Sequence, residues 1–237
     1  MSLKFLLSGV AVSLPLMASA QYTTVDISSV VNANVAINPQ TFPVGLSTGN
    51  QGTSIPFLIA PYPANGTVAG TWLGQGTGSS VTISNIDAPG EASFYALLNN
   101  YYGTPGADEY DITITATNGD SVTYQSIGGV DTRDYNQNVF TDTIANTTFP
   151  WFDNGIGQRL DVREFTLPTS FLTETVSSFT ITQVNPTDEA LFSGLTFSSQ
   201  PIITSVPEPQ TYALMLAGLA AIGSISRRRR SGAVGSR

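Results

Sequence analysis

The chain has 237 residues with 9 basic and 17 acidic side chains, no histidine and no cysteine. This excludes disulfides, thiolate metal sites, cysteine nucleophiles and any triad or proton relay built on imidazole, leaving carboxylates, hydroxyls, a few arginines and backbone groups to carry chemistry. Charged residues are only 11% and aromatic residues 10%, a balance of many turns around a filled core that suits an all-β domain and not a disordered chain.

In chain order, the first segment reads as an export signal. Lys4 supplies a positive start, Phe5 to Met17 an apolar stretch, and Ala18-Ser19-Ala20 a small-residue ending, the three parts of a signal peptide cut after Ala20.

The body from Tyr22 to Ser199 is a succession of short runs with period two, the mark of half-buried strands. The clearest is DITITATNGDSVTYQSI, in which Ile112, Ile114 and Ala116 alternate with Thr113 and Thr115, and Val122 alternates with Tyr124 in the same manner. Between the two halves stands Asn118-Gly119, which tolerates the positive φ angles of a tight hairpin turn. Further strand candidates are TTVDISSVV, IPFLIAP, SSVTISNI, EASFYALLNNYY, RLDVREFTL, TVSSFTITQV and ALFSGLTFSS, separated by turn-like segments such as APYPANG, GQGTGSS and YYGTPGADE. About seven to ten antiparallel strands without a repeat predict a β-sandwich of jelly-roll type rather than an immunoglobulin, propeller or solenoid arrangement.

Several constellations in the body carry candidate chemistry. In GGVDTRDYNQNVF, Asp134, Asn136 and Asn138 alternate with Asp131 close by, oxygen donors that suit a calcium ion. Val139 and Ala145 stand where an EF-hand needs its glycine and its glutamate, so the same residues also suit a surface loop of side-chain turns. Calcium is the only cofactor this reading allows. A second acidic group, Asp108, Glu109 and Asp111, precedes the hairpin and fits either a cation or gatekeeping charge at the start of a strand.

Aromatic residues near turns are candidates for stacking on sugar rings: Trp72, Tyr101, Tyr102, Tyr135, Trp151 and Phe152, with Trp151, Phe152, Asp153 and Asn154 as a binding lip in a glycine-flanked loop. Each equally suits core packing. Arg133, Arg159 and Arg163 are the body's only basic residues. Arg159, Asp161 and Arg163 share one face if RLDVREFTL is a strand, and scarce arginines among many acids read as structural charge partners.

The end of the chain differs from everything before it. Val206-Pro207-Glu208-Pro209, with Thr211 two positions on, leads into an apolar run from Tyr212 to Ile225 and then Arg227, Arg228, Arg229 and Arg230. The run falls short of the ~20 residues of a comfortable membrane span but suffices with snorkelling of Arg227, and the arginine cluster holds the tail on the cytoplasmic side.

This order of parts resembles the PEP-CTERM sorting signal of Gram-negative bacteria. The resemblance implies export through the Sec machinery, transient anchoring in the inner membrane by the C-terminal helix, processing near Pro-Glu-Pro by an exosortase, and release to the cell surface or an extracellular polysaccharide matrix. The division expected is therefore a signal peptide over 1–20, one sandwich domain over 21–199, a proline-rich linker over 200–210, a hydrophobic sorting helix with its arginines over 211–230, and a tail over 231–237. The body also loosely resembles secreted jelly-roll modules of the carbohydrate-binding and galactose-binding-like kind, through its strand density and the RDYN and RLDVREFTLP segments.

Residues 21–206 carry 16 acidic against 3 basic side chains, a net charge of −13. Nucleic acid and anionic lipid are excluded as partners of such a body, since both need a basic surface. The expectation is an exported structural or adhesive protein of the envelope or biofilm matrix and not an enzyme. A carbohydrate-binding module is the alternative, and a carboxylate-dependent enzyme acting on polysaccharide stands third, because nothing selects one pair of acids from so many.

Overall fold

The computed structural model describes residues 21–35, 42–137, 144–145 and 148–199. The expected signal peptide, linker, sorting motif and C-terminal helix lie outside the described residues, as does Asn138. Among the described residues no helix is long and apolar enough to cross a membrane.

Fourteen strands account for most of these residues: β1 (Tyr22–Val25), β2 (Ala33–Asn34), β3 (Gly45–Ser47), β4 (Phe57–Ile59), β5 (Pro61–Tyr62), β6 (Val68–Leu73), β7 (Ser80–Pro89), β8 (Ser93–Tyr101), β9 (Asp108–Ala116), β10 (Ser121–Ile127), β11 (Thr148–Asp153), β12 (Arg159–Thr166), β13 (Thr175–Gln183) and β14 (Glu189–Ser198). One 3-10 turn, Thr169–Thr173, joins β12 to β13. The long period-two runs are all strands. The strands absent from the expectation are β2, β3 and β5, of two or three residues, and β6 and β11, of six residues, whose VAGTWL and TFPWFD show no alternation.

The larger sheet runs β11-β12-β8-β14-β6-β2, with β1 beside β14 and β5 beside β6, and the smaller runs β10-β9-β13-β7. Four antiparallel pairs, β6·β14, β7·β13, β8·β12 and β9·β10, are the successive rungs of one long ribbon whose tip is the β9–β10 hairpin. The ribbon is rolled so that β8 also meets β14 and β9 also meets β13. That winding is a jelly roll, as the strand pattern predicts.

At the ribbon tip the turn differs from the two-residue form expected. Gly119 N–H donates to Ala116 O at 3.0 Å and Ala116 N–H to Asp120 O at 2.8 Å, so three residues span the strands. Gly119 takes a φ of 93° while Asn118 keeps a negative one. Asn118 contributes its side chain instead, Oδ1 accepting from Asp120 N–H at 2.8 Å. This is a type I turn closed by a left-handed glycine, which matches strand twist without needing two positive φ angles.

The two faces of the smaller sheet divide as its sequence alternation requires. Outward, hydroxyls pair across strands, Thr82 with Thr180 and Thr113 with Thr123, both at 2.8 Å. Inward, Ile112, Ile114, Phe179 and Ile181 meet Phe94, Leu98 and Phe192 of the larger sheet. Phe94 stacks on Phe165 with ring centroids 4.5 Å apart and Phe179 on Phe192 at 4.9 Å. Each such side chain removed from water contributes about 1.5 to 3 kcal/mol.

The larger sheet is covered on both faces. All of β8 but its last residue is buried, as is all of β14 but its first. The second cover is a layer holding Phe42, Ile55, Phe57, Ile59 and Trp151, each at most 5% exposed. The near-continuous apolar runs SFYALL and ALFSGLTF follow from this double burial.

Candidate functional site

Five of the six aromatic candidates form one connected series. Ring centroids step from Tyr102 to Tyr101 at 6.2 Å, from Tyr101 to Tyr135 at 5.4 Å, from Tyr135 through Phe42 at 6.0 Å to Phe152 at 5.1 Å, and on to Trp151 at 6.2 Å. Trp151 ends against Phe57 at 5.5 Å, edge to face. The sixth, Trp72, sits apart in the core between the sheets.

Exposure along this series is uneven. Tyr135 and Trp151 are fully buried, and the Trp151 indole N–H donates to Ile55 O at 3.1 Å. FPWFD is therefore an edge strand, with Pro150 tolerated there, and not the open loop its flanking glycine suggests. The binding lip expected at Trp151 is corrected by this placement: its ring pins the outer layer to the sheet and has no face left for a ligand. Trp72 and Tyr135 are likewise interior, and burial raises the Tyr135 hydroxyl above its ordinary range. Phe152 and Tyr101 are half-buried. Burial, then the charges of Asp134 and Glu189, pushes the Tyr101 hydroxyl up to about 12. Tyr102 alone of the six is exposed, at 51%.

Tyr102 also has a φ of 64°, a left-handed conformation that a bulky side chain adopts only when its surroundings enforce it. The enforcing group is Asp134, whose Oδ2 accepts from Tyr102 N–H at 3.0 Å while Oδ1 accepts from Asn136 N–H at 2.8 Å. Asp134 is thus a clasp that presents Tyr102, and its oxygens face backbone amides. Asp131 is similarly engaged, Oδ2 accepting from Ile127 N–H at 3.0 Å and Oδ1 lying 3.2 Å from Arg163 Nη2. Both carboxylates thus meet donors of the chain itself, Asp134 through side-chain turns; among the described residues no group of three or more His, Cys, Asp or Glu side chains is placed to hold a metal. Asn138 lies outside them.

The arginines are charge partners, as their scarcity suggests. Arg133 makes a bidentate pair with Asp161, Nε to Oδ2 and Nη2 to Oδ1, both at 2.7 Å. Arg159 Nε lies 3.6 Å from Asp161 Oδ2, and its Nη2 donates to Asp134 O at 3.0 Å. Asn99 completes the set by donating to Asp161 Oδ2 at 2.8 Å and accepting from Asp161 N–H at 3.0 Å. Arg163 reaches Ser126 Oγ at 2.9 Å and lies 4.2 Å over the Phe165 ring. Alternation along β12 is what turns Arg159, Asp161 and Arg163 to one side.

Two further groups of polar side chains were not legible as sites. Glu91 is 2% exposed with Oε1 near Thr23 Oγ1 at 3.4 Å, and burial pushes its carboxyl up to about 7. Glu109 and Asp188, each at most 1% exposed, lie together at the end of the sandwich where β13 turns into β14. Glu109 has a weak sequence signal in its acidic run; Asp188, in a turn-like QVNPTDEA, has none.

Residues 205–230 match the PEP-CTERM protein-sorting motif. The chain carries a PEP-CTERM sorting signal. That signal marks the protein as exported to the cell envelope or surface and as a substrate for sorting by exosortase. No curated protein matches the chain. Among solved structures, the crystal structure of the infectious bursal disease virus VP2 subviral particle aligns with 15% identity and a TM-score of 0.27, over 76% of this chain and 51% of the viral one. The chain spans about half the length of that protein.

Proposed function

We propose that the body delivered by the PEP-CTERM signal is a structural and adhesive component of the cell surface or extracellular matrix, without enzymatic activity. The observation that carries this reading is the sorting motif at 205–230, joined to a sandwich whose arginines and whose Asp131, Asp134 and Asp161 carboxylates are consumed by internal pairing. Export begins with the signal peptide and the Sec machinery; the apolar segment within 211–230 holds the chain in the inner membrane until exosortase processes it near Pro-Glu-Pro. The released body then keeps the acidic surface that resists nucleic acid and anionic lipid.

A second reading rests on Tyr102. An exposed aromatic ring held in a costly backbone conformation, with Tyr101 beside it, suits stacking on the C–H face of a sugar. One experiment separates the readings. Cells lacking the protein are compared with cells making the full chain or its Tyr102→Ala variant, scoring matrix cohesion, polysaccharide turnover and retention of the protein on the organism's own exopolysaccharide. The structural reading expects weakened cohesion in the deletion, unchanged turnover and full rescue by the variant. Failure of the variant to rescue, with lost retention, establishes the carbohydrate reading; slower polysaccharide breakdown in the deletion overturns both.

A further inference from the structure

The Glu109–Asp188 end of the sandwich is built unlike the rest of the interior. Two of the other buried carboxylates meet arginine, Asp161 with Arg133 and Arg159 and Asp131 with Arg163, while Asp134 takes backbone amides and Glu91 the Thr23 hydroxyl. Among the described residues no basic side chain pairs with Glu109 or Asp188. Glu109 takes neutral donors, Thr104 N–H on Oε1 and the Asn185 amide on Oε2 at 2.6 Å, and lies within hydrogen-bonding reach of the Asp188 carboxyl. Both Oδ atoms of Asp188 are buried with no hydrogen-bond partner of ordinary geometry. Two carboxylates placed so, away from water and from positive charge, cost several kcal/mol each unless a proton or a cation joins them.

A second observation points to the cation. Asn100 is fully buried, and neither its Oδ1 nor its Nδ2 has a partner. In the β8·β14 register Asn100 stands opposite Ala190, two residues along the chain from Asp188. Its amide lies directly beneath Gly103, where an added Cβ would fall 2.1 Å from Nδ2. The next residue, Thr104, holds Glu109, and a Cβ on Gly128 would fall 2.4 Å from Glu109 Oε1. Two glycines thus let the loops close over these groups. From the facing sheet comes Tyr110, fully buried, its hydroxyl beside Thr132 and Ser126 and within the fields of both Arg163 and Asp188.

We propose that Asp188, Glu109 and Asn100 Oδ1, with the Tyr110 and Thr132 hydroxyls at its margin, form a binding site for a calcium ion that fastens this end of the jelly roll. The donors are all oxygen, mixed in charge and irregular in arrangement, which suits a hard cation with 6 to 8 flexible ligands better than the strict octahedron of magnesium. Burial, and then the neighbouring Glu109 charge, raises Asp188 far above the usual carboxylate range, and Glu109 is raised as well.

The test uses the full chain, stripped with EDTA and titrated with calcium chloride at pH 7.5. Expected are saturable binding of one ion by calorimetry, release of a proton on binding, and a rise in Tm of about 5 to 10 °C at ~100 times the Kd. Asp188→Asn abolishes binding and shift together. Because that variant also relieves buried charge and can be stable in its own right, Asn100→Asp is the companion: it lowers Tm in EDTA and binds calcium more tightly. A Tm indifferent to calcium, binding that survives in Asp188→Asn, or no gain in affinity in Asn100→Asp overturns the proposal and leaves a proton-sharing carboxyl pair.

Discussion

Asp161 is the residue on which most of the internal charge depends. Its two oxygens answer Arg133, Arg159 and Asn99 while the side chain itself is fully shielded from water. Asp161→Asn keeps the shape but leaves two arginine side chains without their counter-charge in a low-dielectric site. The expected loss is about 3 to 5 kcal/mol, read from urea unfolding midpoints. Arg133→Lys is expected to cost less, about 2 kcal/mol, since a point charge keeps the attraction and loses the fork geometry. The sequence displayed this site in part: alternation in RLDVRE turns Arg159, Asp161 and Arg163 to one face. It could not display Asn99, which sits in an apolar strand and is recruited only because β8 lies beside β12.

At the scale of elements, the outer layer over the larger sheet explains most of the difference between expectation and structure. Long strands announce themselves by alternation or by an unbroken apolar run, so β7 to β10 with their hairpin and β12 to β14 were legible, while β6 and β11 were not. The cover formed by Phe42, Ile55, β3–β4 and Trp151 was not, because its pieces are two or three residues long and gather from distant parts of the chain. Five of the aromatic candidates come together, as a packed series with Tyr102 at its exposed end, while Trp72 lies apart in the core. Trp151→Ala removes the anchor of that layer, both the ring against Phe57 and the indole hydrogen bond to Ile55. A loss of about 3 to 5 kcal/mol is expected. Hydrogen exchange should show the amides of 45–59 opening far sooner than those of β9 and β13, whose packing lies on the other side of the sheet.

For the molecule as a whole, the balance of buried acids sets the response to pH. Glu91 has its carboxyl raised to about 7 by burial from an ordinary value of 4.5. The folded state thus binds more protons than the unfolded chain between those values, and its stability falls as pH rises across that window. Asp188 and Asp108, also raised mainly by burial, act in the same direction. The net charge of −13 over 21–206 adds repulsion at the alkaline end. In EDTA the full chain should accordingly melt higher at pH 5 than at pH 8. Glu91→Gln should raise Tm at pH 8 while changing it little at pH 4.5; a variant with unchanged pH dependence would contradict this account.

The ribbon's winding also fixes when the fold can close. β14 lies between β8 and β6 in the larger sheet and takes β1 along its far half, Tyr22 opposite Ser198. It is the last of the described strands, so the larger sheet waits for residues that emerge some 120 positions after β6, and pairings so distant in sequence form slowly. An exported chain of this design stays open until Ser198 is through, and the sorting motif begins seven residues later, at 205. Completion of the sandwich and presentation of the processing signal are thereby brought to the same moment, with the newly paired first and last strands lying next to the point of cutting in the chain.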